Sequence, residues 1–195
     1  MKIGDLLLVG LVLIVLNSFI FARIVKLKET IPNDDYKKYC TDNGGVIINN
    51  IVSFGTFFGY VDGYDVDFCE IVQSGNLGMI GIETLASTKP SLAATYIKNL
   101  TIDSEKRIKG PFSQPATNLC YALGGACINY HVDGGFYDDR GFSGVCFFGD
   151  GSHIATWTLY YIGVNSRNDI KNLVRAEPLA INIPDIYWMI KIEIK

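Results

Sequence analysis

Residues 39–45 read YCTDNGG, and residues 119–125 read LCYALGG. Both stretches have the pattern Cys-x-x-x-Gly-Gly, and they lie 80 residues apart. Glycine commonly ends a helix because it adopts the left-handed conformation that closes the last turn. We therefore predict that a short helix runs into each of these cysteines, stops at the glycine pair and gives way to strands.

The same order of residues continues downstream of both stretches. A Val-Asp-Gly triplet follows at residues 61–63 and again at residues 132–134, and a second cysteine then begins an apolar stretch at Cys69 and at Cys146. A repeated order of this kind is the sequence sign of an internal duplication. We predict two related modules, at about residues 33–88 and 112–164.

The fold class predicted from these patterns is α+β, with a short antiparallel sheet in each module. Residues 145–148 and 154–161 are predicted as strands joined by a Gly-Asp-Gly-Ser turn. Residues 89–111 are predicted to form a helical connector between the modules. Residues 165–195 are predicted as a helix, capped by Ser166, and a C-terminal strand over 190–195, where apolar and polar residues alternate.

Five cysteines indicate the compartment. The repeat predicts two disulfides, Cys40–Cys69 and Cys120–Cys146, each stabilising its module by about 3–4 kcal/mol. Cys127 is left over, as a free thiol, a buried one, or a competitor for Cys120 or Cys146. Paired cysteines favour an extracytoplasmic location. The alternative is five reduced cysteines in a cytosolic protein; a zinc site is disfavoured because no Cys-x-x-Cys pattern occurs.

The segment at residues 6–22, LLLVGLVLIVLNSFIFA, carries no charge. Because it has no polar face, it is predicted to lie in lipid. Residues 1–28 are interpreted as an uncleaved single-pass anchor with its flank. A signal peptide cleaved after Ala22 and a pilin-type leader are the alternatives. The basic residues Arg23, Lys26 and Lys28 would place the large domain inside, whereas the cysteines place it outside, and the cysteines receive more weight.

Charge excludes one class of function. The chain has a formal charge of −3, and residues 29–195 alone carry −6. No basic face remains there for phosphates, so the sequence does not predict nucleic-acid binding.

The second module resembles a family of small exported domains of unknown function that are often labelled haemolysins. The resemblance covers about fifty residues and rests on a set at matching spacing: Pro115, Ala116, Cys120, Gly124, Gly125, Cys146, Phe148, Asp150, Gly151, Ser152 and Trp157. Two features depart from the family: Ile154 stands where members have a further cysteine, and the closing Arg-Gly and cysteine are missing. The first module looks like a degenerate copy. The resemblance implies export but no mechanism.

No catalytic constellation emerges from the sequence. Asp150, Ser152 and His153 suggest a triad, but adjacent strand residues point to opposite faces, so none is predicted. No cofactor is expected. Asp62, Asp65 and Asp67 are weak calcium candidates, as are Asp133, Asp138 and Asp139, although no EF-hand pattern is complete.

Two further residues carry predictions of their own. Asn99 begins an Asn-Leu-Thr glycosylation pattern. Trp157 is predicted to be a core residue on the second strand of its hairpin, on the same face as Ala155 and Leu159. The chain contains 24 Phe, Tyr and Trp residues, with one dense group at residues 54–64, and we expect them to fill the cores or to form a binding face.

The function indicated is that of a non-enzymatic, membrane-anchored, extracytoplasmic protein of the cell envelope. It would be an accessory subunit, a surface layer or a filament component, with other envelope or membrane proteins as partners. The alternatives are a secreted inhibitor or toxin-like module, which requires cleavage near Ala22, and a hydrolase that uses two acidic residues.

Overall fold

The structure, a computed structural model, describes residues 34–56, 59–73, 75–106, 108, 110–131 and 144–187. The first half of this part contains α1 (Asp34–Asp42), β1 (Val46–Thr56), β2 (Gly59–Gln73), β3 (Asn76–Gly81) and α2 (Ile82–Ala86). The second half contains α4 (Pro115–Ala122), β4 (Ala126–His131), β5 (Val145–Phe147), β6 (His153–Ala155) and α5 (Thr156–Gly163). Helix α3 (Leu92–Asn99) lies between the halves, and α6 (Asn168–Leu173) follows them. Both halves thus run helix, three strands, helix.

The six strands form one closed antiparallel sheet in the order β1-β2-β3-β6-β5-β4. The halves meet at two junctions: β1 pairs with β4 through Ile51 and His131, and β3 pairs with β6 through Ile80 and Ile154. The fold class is therefore α+β, as predicted. The prediction of two separate small sheets is wrong, because the strands of both halves join in one sheet. Closure satisfies the strand edges that two small sheets would have left open.

Two disulfides tie the first helix of each half to the middle strand of the same half. Cys40 of α1 is bonded to Cys69 of β2, and Cys120 of α4 to Cys146 of β5. These are the pairs that the repeat predicted. The helices cover the outer face of the sheet, on which Cys69 and Cys146 lie, so the opposite face lines its interior.

The glycine pairs serve two purposes at the ends of α1 and α4. Gly44 and Gly124 have φ of 79° and 78°, the left-handed conformation predicted for a helix end. Gly45 and Gly125 are required for space, since a Cβ at either position would overlap a disulfide sulfur. The Gly-Gly pattern thus couples each helix end to its disulfide.

The second junction is reinforced by reciprocal hydrogen bonds from one half to the other. The amide of Met79 donates to Oγ1 of Thr158 at 2.9 Å, and the amide of His153 donates to Oγ1 of Thr84 at 3.1 Å. Both threonines are buried. Counted from the Ile80–Ile154 pair, Met79 corresponds to His153 and Thr84 to Thr158, so equivalent residues make equivalent bonds.

The inside of the sheet holds a small core of its own. Its buried members are Val66, Phe68, Met79, Val145, Phe147 and Ala155. A larger core lies between the outer face and the helices, where it includes both disulfides, Ile80, Ile154 and Leu159. Burial on both faces explains why β5 and β6 are buried at every position.

Helix α6 is held against the β2–β3 hairpin by a buried arginine. Arg167 is 3% exposed; its guanidinium donates to the carbonyl oxygens of Ile71 and Asn76 and pairs with Asp169 at 2.7 Å. A Cβ at Gly78 would overlap this group. The hairpin is thereby joined to a segment some ninety residues later in the chain.

Two predicted elements are wrong in type or in detail. The strand expected at residues 154–161 ends at Ala155, and Trp157 lies in α5, half-buried against the inner core. Leu159, Ile162 and Gly163 are buried at the spacing of a helix, because this segment crosses the outside of the sheet. Ser166 does not cap α6: Arg167 is its N-cap, and the Ser166 hydroxyl donates to the carbonyl of Tyr161.

The predicted anchor at residues 6–22 and the predicted strand at 190–195 lie outside the described residues. Among the helices that the structure describes, none is both long enough and apolar enough to span a bilayer.

Candidate functional site

The Asp150-Gly151-Ser152 turn, part of the resemblance noted above, binds the start of helix α3. Oδ2 of Asp150 accepts from the Leu92 amide at 2.7 Å, and Oγ of Ser152 accepts from the Ala93 amide at 2.9 Å. The Ser91 side chain, at the N-cap of α3, accepts a hydrogen bond from the Ala94 amide. Burial raises the pKa of Asp150, but hydrogen bonds from Ser152 and Leu92 outweigh it, and the net shift is downward. The carboxylate stays ionised against the positive end of the helix.

The Asp150, Ser152 and His153 side chains do not form a nucleophile–base chain. The Ser152 hydroxyl donates to Oδ1 of Asp150 at 2.6 Å, whereas Nδ1 of His153 lies 3.0 Å from the Gly151 carbonyl oxygen. His153 points into the interior of the sheet and Ser152 toward α3. A serine nucleophile needs the imidazole within hydrogen-bond reach, and this arrangement does not supply it.

Of the calcium candidates in β2, Asp67 is engaged in structural contacts. Asp67 pairs with Lys37 at 2.8 Å and accepts from the Asn49 side chain at 3.0 Å. Asp65 is exposed. The side chain of Asp62 and all of Asp133, Asp138 and Asp139 lie outside the described part. Within that part, no three His, Cys, Asp or Glu side chains converge as metal ligands would.

Cys127 is a free, half-buried thiol directly across from Cys146 in the β4–β5 pair. Ile47 occupies the corresponding place beside Cys69 in the first half, so Cys127 fills a position that an apolar residue also fills. Burial raises the pKa of Cys127, against the opposing effect of a hydrogen bond with Thr117. The thiol is therefore protonated at neutral pH, and its chemical role is that of a small apolar side chain.

Five aromatic side chains gather on helices α4 and α5, and we call this set the aromatic surface. Trp157 stacks on Tyr161 and meets Tyr160 edge-on, in each case with 5.6 Å between ring centroids. Phe112, just ahead of α4, stacks on Tyr121 at 5.2 Å. Phe112, Tyr121 and Tyr161 are 44%, 46% and 40% exposed. So much exposed aromatic area is typical of a binding surface.

A shallow cavity of about 270 Å³ lies beside Tyr160 of α5 and the start of α4. Tyr160 contributes from α5, while Ser113 and Pro115 contribute from the start of α4. Its remaining lining is Ser104, Glu105, Lys106 and Ile108. Polar side chains therefore border Tyr160, and aromatic rings beside a polar rim are common in protein interfaces.

The first half of the sheet offers an internal comparison for this surface. Positions 157, 160 and 161 correspond to Glu83, Ala86 and Ser87, counted from the Ile80–Ile154 pair, and position 121 corresponds to Thr41. None of these four is aromatic. Since the same strands and helices form without aromatic rings there, the fold does not require the rings in the second half.

The sequence contained a signal for this surface that strand-like alternation hid. Trp157 and Tyr161 are four residues apart, which places them on one face of a helix but would also place them on one face of a strand. The group of aromatics at residues 54–64, which looked the most prominent, has side chains outside the described part. The Asn99 side chain is exposed at the last residue of α3, and its glycosylation remains a prediction.

The chain was compared with protein-family models, with curated proteins and with solved structures. None of the three comparisons yields a match.

Proposed function

We propose that this protein is a membrane-anchored, extracytoplasmic protein of the cell envelope that binds another envelope protein through its aromatic surface. The observation that carries the proposal is the exposed aromatic surface on α4 and α5, for which the first half has no counterpart. Aromatic residues dominate the binding energy of protein interfaces, and an exposed ring that the fold does not need is best explained by a partner.

Two further observations support the location. The Cys40–Cys69 and Cys120–Cys146 disulfides favour an oxidising compartment. The apolar segment at residues 6–22 would hold the domain at the membrane, with the chain oriented against the charge bias of Arg23, Lys26 and Lys28. The resemblance of the second module to small exported domains agrees with this location, and we propose no lytic activity from it.

The aromatic surface can be tested by photocrosslinking in native membranes. A photoreactive phenylalanine placed at position 161 is expected to form a crosslinked product with a distinct partner. The matched control places the same group at Glu83, whose helix corresponds to α5 and which is also exposed. The same product at both positions, or none at position 161, would contradict the proposal.

Tyr121→Ser and Tyr161→Ser should then weaken binding of the crosslinked partner, each by about 10-fold or more, as loss of a hot-spot aromatic does. Their stability should change by only about 0.5 kcal/mol, since exposed substitutions rarely do more. Titration of the purified partner and urea unfolding measure the two effects. Glu83→Ser is the control and should leave binding unchanged.

The anchor is tested by the intact mass of the mature chain purified from membranes. We expect residues 6–22 to be present in that chain. A mature protein that starts at Arg23 would instead support the secreted inhibitor or toxin-like alternative, which depends on cleavage at that place.

A further inference from the structure

His153 is enclosed inside the closed sheet by aromatic and backbone groups. Its ring stacks on Phe147 with 4.6 Å between centroids and meets Phe68 edge-on at 5.1 Å. Gly81, its cross-strand neighbour in β3, lies directly under the ring, where a Cβ would overlap it. The residue is 9% exposed. An imidazolium formed in this place would have lost its contact with water.

The ring has one hydrogen bond within the described part of the chain, and it fixes which nitrogen carries the proton in the neutral form. Nδ1 lies 3.0 Å from the carbonyl oxygen of Gly151, which can only accept, so Nδ1 carries the proton. Nε2 is then an acceptor, and it has no hydrogen-bond partner among the described residues. A second proton on Nε2 would therefore create a donor with nothing to bind.

Among the described residues, no acidic side chain accepts a hydrogen bond from the ring. Glu70 is the acidic residue of β2 on the inner face, and it enters no hydrogen bond with the ring. Glu83 of α2 is exposed to solvent, and Asp150 in the β5–β6 turn is bonded to Leu92 and Ser152. The inner-face residues of β3 and β5 beside the ring are Met79, Gly81, Val145 and Phe147, all uncharged.

His153 also stands at the narrowest junction of the sheet. Strands β3 and β6 are joined by the single register pair of Ile80 and Ile154, whereas β1 and β2 pair along most of their length. The amide of His153 itself makes one of the two threonine hydrogen bonds that reinforce this junction. Any displacement of the His153 ring toward water therefore acts directly on the contact between the two halves.

We propose that the β3–β6 junction is a pH-sensitive switch, in which protonation of His153 releases β6 from β3 and opens the closed sheet between its two halves. Burial is the main reason that the pKa of His153 lies at about 4, below its ordinary value of 6.5, while the Gly151 carbonyl acts in the opposite direction. The closed form thus takes up the proton at a lower pH than the open form does. Its stability is complete above about pH 7 and falls as the pH drops from 6.5 toward 4.

The test is amide hydrogen exchange of the full chain at pH 7.5 and pH 4.5, expressed as protection factors. If opening frees the ring, the ratio of closed to open form falls about 70-fold between pH 7.5 and pH 4.5. We expect this loss at residues 79–81 and 153–155. The β1–β2 amides at residues 46–50 and 66–70 should keep their protection.

His153→Phe supplies the decisive variant, because phenylalanine keeps the stacking on Phe147 and cannot be protonated. It should lose only a small part of its protection over the same pH range. His131→Gln is the matched control, since it removes the other histidine and should behave like the parent. Equal loss in His153→Phe, or loss spread evenly over all six strands, overturns the proposal.

An NMR titration of the parent protein keeps the test independent of how well His153→Phe folds. The carbon-bound ring protons of His153 should titrate near pH 4, together with the amide shifts of Ile80 and Ile154. Titration of His153 near 6.5, or titration without any response at those two amides, also overturns the proposal.

Discussion

Replacing Cys40 and Cys69 together by alanine is expected to lower the free energy of unfolding by about 3–4 kcal/mol. The bond closes a loop with a sequence separation of 29, so its loss returns considerable entropy to the unfolded chain. It also releases α1 from β2, where Cys40 and Cys69 are fully buried. Urea unfolding followed by circular dichroism measures the change.

The Cys120→Ala/Cys146→Ala variant should lose a similar amount, because its loop separation is 26. Both cysteines of a pair are replaced so that no single thiol remains to pair with Cys127. Cys127→Ala is the control for removal of a sulfur without loss of a crosslink, and it should cost far less. Comparable losses in all three variants would contradict a special contribution of the disulfides.

Either double variant should still unfold in one transition. Two separate modules, as the sequence predicted, would be expected to unfold independently. In the closed sheet, however, β1 pairs with β4 and β3 with β6, so each half loses a partner at both of its outer strands when the other unfolds. Two separated transitions would show that the halves are independent after all.

Asp169→Ala is expected to destabilise the protein by about 3–5 kcal/mol, because it leaves the buried Arg167 guanidinium without its counter-charge. The two oxygens of Asp169 accept from Nε and Nη2 of Arg167 at 2.9 and 2.7 Å. The guanidinium of Arg167 also donates to the carbonyl oxygens of Ile71 and Asn76, which cannot neutralise a charge. The measurement is again urea unfolding.

The exposed Lys38–Asp42 pair provides the matched control for this variant. Its atoms are 2.6 Å apart, but both side chains are largely in solvent. Asp42→Ala should therefore change stability by about 0.5 kcal/mol or less. If Asp169→Ala costs no more than Asp42→Ala, then Arg167 does not depend on its counter-charge.

The Asp169 contribution should also depend on pH. Burial raises the pKa of Asp169, but the hydrogen bond and charge of Arg167 outweigh it and lower the pKa below its ordinary value of 3.8. A carboxyl whose folded pKa is lowered stabilises the fold above its unfolded pKa and loses that effect as the pH falls. The loss therefore occurs below about pH 4, under the range in which His153 acts.

The sequence by itself determined the features that depend on neighbouring residues. The glycine pairs marked the ends of α1 and α4 because only the last turn of a helix decides where a left-handed residue is needed. The repeated order of residues predicted which cysteines pair. The connector was predicted to be helical, and α3 lies within it, since helix propensity is a local property.

The tertiary structure alone decided how these parts combine. Closure of the sheet rests on pairs such as Ile80 with Ile154, which are 74 residues apart and whose partners no local pattern specifies. The same holds for Trp157, whose segment alternates like a strand but is helical because it must cross the outer face of the sheet. Asp150 was read as a turn residue, and it also caps a helix nearly sixty residues earlier in the chain. Neighbouring residues determine the helix ends and turns, whereas burial of both faces of the sheet determines which strands pair.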